Sequence, residues 1–179
     1  MKRLLEPEQL QEGVAKMAAS INEMYGHQPL TIVGIMTGSV MLIADLVRLL
    51  EMPLRVGIVL ASSYRNSTVA GKLEISTDWL LGVRGHHLLL VDDIFDTGHT
   101  LVEVTRQIRE LEPASLRSAV LLRKRARCAV EEQPDFVAFD IPDEFVVGYG
   151  LDYRDEYRNL PYLGALEPED LARHEERES

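Results

Sequence analysis

Four short apolar runs, LTIVGIM (30–36), LRVGIVL (54–60), HLLLV (87–91) and LRSAVLL (116–122), recur along the chain. Segments of helical period separate some of them, and polar loops the rest. A strand buried on both faces reads as such a run, because neither side of it meets water. Strands alternating with helices build a mostly parallel sheet flanked by helices, so the expected fold class is α/β. Leu10, Val14, Met17, Ile21 and Met24 fall at steps of three and four and predict an amphipathic helix over 7–25. Val40, Ile43, Ala44, Val47 and Leu50 predict a second helix after the tight turn Thr37-Gly38-Ser39. Leu101, Val104, Ile108 and Leu111 predict a third, stopped near Pro113. FVAF (136–139) and FVVGY (145–149) read as two more short strands, and 157–166 as a closing segment.

At 179 residues the chain has the size of one domain, expected over 1–166, with an acidic C-terminal tail over 167–179. The tail holds six acids against two arginines and reads as a solvated, partly helical end. The composition, 46% hydrophobic and 27% charged, supports a full core. No run reaches the roughly 18 apolar residues of a membrane span. The start lacks the apolar stretch of a secretory signal. One cysteine, Cys128, rules out an internal disulfide and suits a reducing cytoplasm. The net charge of −10 argues against broad nucleic-acid binding. RKRAR (123–127) is a local exception, either a solvated edge or a set of cations some of which face a small anionic ligand.

The stretch VDDIFDTGHTL (91–101) crowds Asp92, Asp93 and Asp96 after an apolar run, where neither strand nor helix gains from like charges. Ligands of open α/β sheets bind beyond the carboxyl ends of the strands. That edge is where this loop and the Thr37-Gly38-Ser39 turn should meet. The DTGHT half suits an anion: Gly98 permits a tight turn, two threonines offer hydroxyls, and a helix begins with unpaired N–H groups. The acid pair suits sugar hydroxyls or hydrated Mg²⁺, a cation that keeps one or two carboxylates beside substrate phosphates. Phosphoribosyl pyrophosphate carries all of these groups. Aspartates after a strand also cap turns, which is the bland alternative. Neither a G-x-x-x-x-G-K-[ST] nor a G-x-G-x-x-G motif is present.

VDDIFDTGHTL resembles the signature of the type I phosphoribosyltransferases. Together with IMTGS (35–39), SSYRNST (62–68) and the segment 134–166, it resembles the hypoxanthine-guanine phosphoribosyltransferase family from about residue 8 to about residue 166. The resemblance implies a type I phosphoribosyltransferase fold with a small hood and a mobile lid loop. It also implies transfer of 5-phosphoribose to hypoxanthine or guanine in purine salvage. On it, Asp92 and Asp93 would meet ribose hydroxyls and magnesium, and Asp96 would act as general base at purine N7. Thr97, Gly98, His99 and Thr100 would cradle the 5′-phosphate. Thr37 and Gly38 would bind pyrophosphate with Arg158 as cationic partner. Lys124 would contact the purine O6, Phe145 would stack on the base, Val146 would read it through the main chain, and Asp152 would sit near a second magnesium. Ser63 and Tyr64 match the lid.

Three departures stand out. Thr37 occupies a place where relatives often have lysine, His99 one where a basic residue is common, and Arg65 one often held by glycine. Xanthine preference, or a nucleotide-sensing RNA-binding regulator of the same fold, are the competing readings. The implied partners are small molecules and a second copy of the chain, as homodimer or homotetramer, with no nucleic acid and no membrane.

Overall fold

The computed structural model describes residues 1–62, 74–76 and 82–177. Nine strands and four helices follow in the order β1 (Lys2–Leu5), α1 (Pro7–Tyr25), β2 (Leu30–Met36), α2 (Val40–Leu46), β3 (Leu54–Ser62), β4 (Glu74–Ser76), β5 (His87–Phe95), α3 (His99–Arg109), β6 (Ser115–Arg123), β7 (Phe136–Asp140), β8 (Val146–Val147), β9 (Leu163–Ala165) and α4 (Pro168–Arg177). The main sheet has the order β4-β3-β2-β5-β6-β7. Its strands run parallel except for β4, which pairs antiparallel with β3. The mostly parallel sheet flanked by helices is the α/β class that the alternating runs predict.

The runs of β2, β5 and the later part of β6 are buried on both faces, whereas β3 exposes Val56 and Leu60, and in β5 successive residues serve opposite layers. Leu89 and Val91 of β5 pack with Leu10, Val14 and Ile21 of α1. Leu88 and Leu90 pack with Val104 and Ile108 of α3. One strand thus fastens helices to both sides of the sheet.

Helix α1 begins at Pro7 behind a capping box, with the Glu6 N–H donating to Gln9 Oε1 at 2.8 Å. Its buried face ends on Tyr25, four residues after Ile21, whereas Met24, expected inward, is 48% exposed. Helix α2 is also rotated from expectation. Ser39 is fully buried and donates its hydroxyl to the Ile35 carbonyl at 2.6 Å. That bond sets the first turn so that positions 39, 42, 43 and 46 face the core, leaving Val40 and Ala44 outside.

Strand β1 had no sequence-level expectation. It joins β9 and β8 in a small antiparallel sheet, the hood, with Lys2 opposite Ala165. Its partner is far along the chain, and four residues are too few to display a period. His87, the first residue of β5, is partly buried, with Nδ1 2.8 Å from Ser115 Oγ. The segment 167–179 contains helix α4, whose first turn carries Glu169 and Asp170. Among the described residues, no helix is long and apolar enough to cross a membrane.

Candidate active site

Strand β5 continues beyond the apolar HLLLV run to Phe95, because β6 stays alongside it, with Asp92 opposite Val120 and Phe95 opposite Arg123. Asp92 and Asp93 therefore belong to the last part of the strand, and only Asp96 onward forms the loop. The Asp93 N–H donates to Asp92 Oδ1 at 3.0 Å, and the Ile94 N–H to Asp93 Oδ1 at 2.7 Å. Burial, and then the neighbouring charge of Asp93, push the Asp92 carboxyl well above its ordinary range. Burial raises Asp93 too, opposed by the Ile94 N–H and by the charge of Arg158.

Three loops close around Asp93. The turn after β2 enters through a cis peptide between Met36 and Thr37. A β-carbon on Gly38 would overlap Asp93 Oδ2, and one on Gly150 would meet the Gly38 carbonyl oxygen at 2.1 Å. Arg158 fastens the third loop, donating from Nη1 to the Gly150 carbonyl at 2.8 Å. Its Nη2 lies 2.8 Å from Asp152 Oδ1 and 3.3 Å from Asp155 Oδ1. Thr37, Gly38, Asp93, Asp152 and Arg158, distant in the sequence, share one end of the sheet.

Beyond Asp96 the chain turns through Gly98, whose φ of +89° suits glycine, and enters α3 at His99. A β-carbon there would strike Val130 and the Phe95 ring. Helix α3 has no acid in its first turn and carries Arg106 and Arg109 in its last. Its amino end offers free N–H groups with no competing negative charge, and His99 and Thr100 stand exposed beside them. The geometry suits a phosphate.

A cavity of about 530 Å³ opens next to these loops, lined by Asp93, Ile94, Asp96, Lys124, Arg127, Asp143, Phe145, Val146, Leu151 and Asp152. Phe145 opens the apolar FVVGY run, yet it is 50% exposed and meets the Tyr153 ring edge-on at 5.4 Å. Lys124 is 6% exposed, an unusual burial for a lysine. Its Nζ lies 3.8 Å from Asp96 Oδ2 and 3.5 Å from Asp143 Oδ1. Asp96 Oδ1 is shut off from solvent and has no hydrogen bond, although Arg127 Nε approaches it to 2.8 Å. That contact is ionic, without an aligned N–H.

The basic run RKRAR divides by direction. Arg123 and Arg125 turn to Asp140, at 2.7 and 2.6 Å, and hold its carboxyl well below the usual range, Arg125 contributing first. Lys124 and Arg127 turn into the cavity. Asp143 carried no sequence assignment, and Arg127 only the shared reading of the run. The signal for Arg127 was its place three residues after Lys124, which a 3-10 turn over Arg125–Arg127 brings to the same side.

Among the described residues no three acids, histidines or cysteines gather into a metal cage. Asp152 is committed to Arg158 rather than joined to the acid pair. The buried, mutually repelling Asp92 and Asp93 are the pair whose charge a divalent cation would balance. Ser63, Tyr64, Arg65 and Trp79 lie outside the described residues.

A parallel sheet with an acid pair at the end of its central strand, a glycine turn leading into a helix, and a hood over the cavity define a type I phosphoribosyltransferase. A phosphoribosyl transferase domain matches residues 1–154. The chain is 41% identical over 167 residues to a hypoxanthine-guanine phosphoribosyltransferase of Staphylococcus epidermidis, covering 93% of each. It is 38% identical over 169 residues to one of Streptococcus pneumoniae, covering 94% of each. A structure of the Trypanosoma cruzi hypoxanthine phosphoribosyl transferase superposes with a TM-score of 0.91 at 36% identity, covering 98% of this chain and 96% of that one. The chain belongs to the hypoxanthine-guanine phosphoribosyltransferase family.

Proposed function

We propose that this enzyme transfers 5-phosphoribose from phosphoribosyl pyrophosphate to hypoxanthine or guanine, giving the 5′-nucleotide and pyrophosphate. The observation that carries the base preference is the convergence of buried Lys124, Asp96 and exposed Phe145 on one cavity beside the anion-binding turn. Phe145 offers a face for the purine ring and Val146 its main chain. Lys124 donates to the purine O6, where adenine would present an amine that also donates. Asp96 takes the proton from N7 as N9 attacks the ribose.

The 5′-phosphate rests on the N–H groups at the start of α3, within Thr97–Thr100. Pyrophosphate leaves toward the backbone of Thr37 and Gly38, with Arg158 at hand. Asp92 and Asp93 would hold the ribose hydroxyls and magnesium, and Asp152 lies beside Arg158 at the same end. When bound, magnesium neutralises the departing pyrophosphate. Breaking the bond at C1 of the ribose develops oxocarbenium character, as at other glycosidic centres. Water must be kept from that carbon, or the sugar would be hydrolysed. Ser63 and Tyr64 belong to the lid by sequence alone.

The exposed side chains of Met41 and Leu60 supply apolar surface for the homodimer or homotetramer we expect. A single cysteine suits the cytoplasm. The test is a base panel: purified protein, magnesium and phosphoribosyl pyrophosphate with hypoxanthine, guanine, xanthine, adenine or uracil. Turnover of hypoxanthine or guanine with little of adenine is expected. Predominant xanthine turnover would overturn the base assignment. Binding of phosphoribosyl pyrophosphate with no turnover of any base would replace enzyme by regulator.

A further inference from the structure

Two charged side chains of the cavity, Arg127 and Asp143, have no task in the reaction described above. They come from different segments, Arg127 from the 3-10 turn after β6 and Asp143 from the loop between β7 and β8. Each faces the oppositely charged group assigned to the purine. Arg127 Nε is 2.8 Å from Asp96 Oδ1, and Asp143 Oδ1 is 3.5 Å from Lys124 Nζ. The two also face each other, with Arg127 Nη1 3.6 Å from Asp143 Oδ1. Lys124 and Asp96 close the ring at 3.8 Å. Four charges alternate in sign around it and sum to zero.

The ring answers a problem that Lys124 and Asp96 would have alone. An ammonium and a carboxylate on one wall attract, and unopposed they close to a charge-assisted hydrogen bond of about 2.7–2.9 Å. Closed so, each would quench the other, and the N7 and O6 edge of a purine would have to break the pair to enter. Here the gap stays at 3.8 Å. Arg127 draws Asp96 from one side and Asp143 draws Lys124 from the other. Because the Arg127 contact is ionic and lacks an aligned N–H, it orients the Asp96 carboxylate without donating a directed hydrogen bond to it.

The geometry points to Arg127 and Asp143 as a positioning pair that holds Asp96 and Lys124 apart and aims them at N7 and O6. This inference rests on the 6-oxopurine reading of the cavity. It assigns neither residue to phosphoribosyl pyrophosphate, so the two substrates report on it differently.

The test uses the full-length enzyme with magnesium, phosphoribosyl pyrophosphate and hypoxanthine. Arg127→Ala is expected to lower kcat by roughly 10²-fold, the cost of about 1 Å of misplacement at a reacting group. Its KM for phosphoribosyl pyrophosphate stays at the wild-type value. Added guanidinium ion restores part of that kcat, and restores none to Asp96→Asn, which keeps Arg127 but lacks the base. Arg127→Lys, which keeps the charge, retains more activity than Arg127→Gln. Asp143→Asn frees Lys124 to approach Asp96 and raises the KM for hypoxanthine. Arg125→Gln, whose arginine pairs with Asp140 outside the cavity, changes none of these values.

Wild-type kinetics in Arg127→Ala and Asp143→Asn would overturn the inference. So would a rise in both KM values together with the loss of kcat and no rescue by guanidinium, the mark of a merely structural arginine. With the wild type active on hypoxanthine, such results sink the positioning pair alone. A wild type inactive on every base sinks the functional reading and the pair with it.

Discussion

Gly38 and Asp93 pack so closely that a β-carbon on Gly38 would stand 1.6 Å from Asp93 Oδ2. The turn after β2 and the acid pair of β5 are thus one unit, built where the carboxyl ends of neighbouring strands meet. Gly38→Ala has to move either Asp93 or the turn. We expect kcat/KM for phosphoribosyl pyrophosphate to fall by roughly 10²-fold, the scale of a misplacement of about 1 Å. The thermal unfolding midpoint should change little, because the overlap lies between a turn and a side chain at the strand end, at the rim of the sheet rather than in the apolar core. Steady-state kinetics beside a melting curve decide it; unchanged kinetics would show that the contact has no part in substrate binding.

Asp96 is expected to serve turnover rather than binding. Asp96→Asn keeps the shape of the side chain and its place near Lys124 and Arg127, but cannot accept the N7 proton. Loss of a general base costs typically 10²–10⁴-fold, so kcat should fall by about that much. Calorimetric affinity for phosphoribosyl pyrophosphate should stay close to wild type. Equal loss of kcat and of that affinity would assign Asp96 to binding instead.

The acid pair gives a pH dependence with a definite sign. Both carboxyls are raised in the folded chain, Asp92 by burial and then by Asp93. A raised carboxyl favours folding while it is protonated, and that advantage is lost as pH rises through its folded-state value. The ligand-free enzyme should therefore gain stability from Asp92→Asn above the ordinary carboxylate range, and the gain should shrink toward acid pH. Each kcal/mol gained should appear as about 2–4 °C in Tm for a chain of this size. Magnesium with phosphoribosyl pyrophosphate should stabilise the wild type more than the variant, since it supplies the missing counter-charge. Melting curves over a pH series, with and without those ligands, test both statements. A variant less stable than wild type at neutral pH would refute the electrostatic account.

Much of the sheet is legible in the sequence because its strands are buried on both faces, so LTIVGIM and HLLLV announce themselves. The turn chemistry of Thr97–Thr100 is legible for a similar reason, since one glycine at positive φ ahead of a helix is a local requirement. What failed depended on partners far along the chain. Strand β1 is a strand only because β9 lies beside it, and the azimuth of α2 follows from the Ser39 bond to Ile35. In the site, Lys124 could be singled out from Arg123 and Arg125 only by resemblance, because alternation along a strand end is invisible without its neighbours. Asp143 was silent for the same reason: nothing local marks a carboxylate whose partners are Lys124 and Arg127.

Phe145 separates packing from recognition most cleanly. In an apolar FVV run it reads as core, and truncating a core phenylalanine typically costs 3–5 kcal/mol of stability. Here the ring is 50% exposed, lines the cavity and touches Tyr153 by its edge, so little of its area supports the fold. Phe145→Leu should therefore leave Tm within a few degrees of wild type. What it removes is a flat face for the purine, and stacking of a base on an aromatic ring contributes roughly 1–3 kcal/mol. The KM for hypoxanthine should rise by about tenfold or more, as a loss of that size implies. The KM for phosphoribosyl pyrophosphate should hold, because we place that substrate against Asp93 and the start of α3 instead. A fall of many degrees in Tm with an unchanged hypoxanthine KM would return Phe145 to the core and leave the purine without its stacking partner.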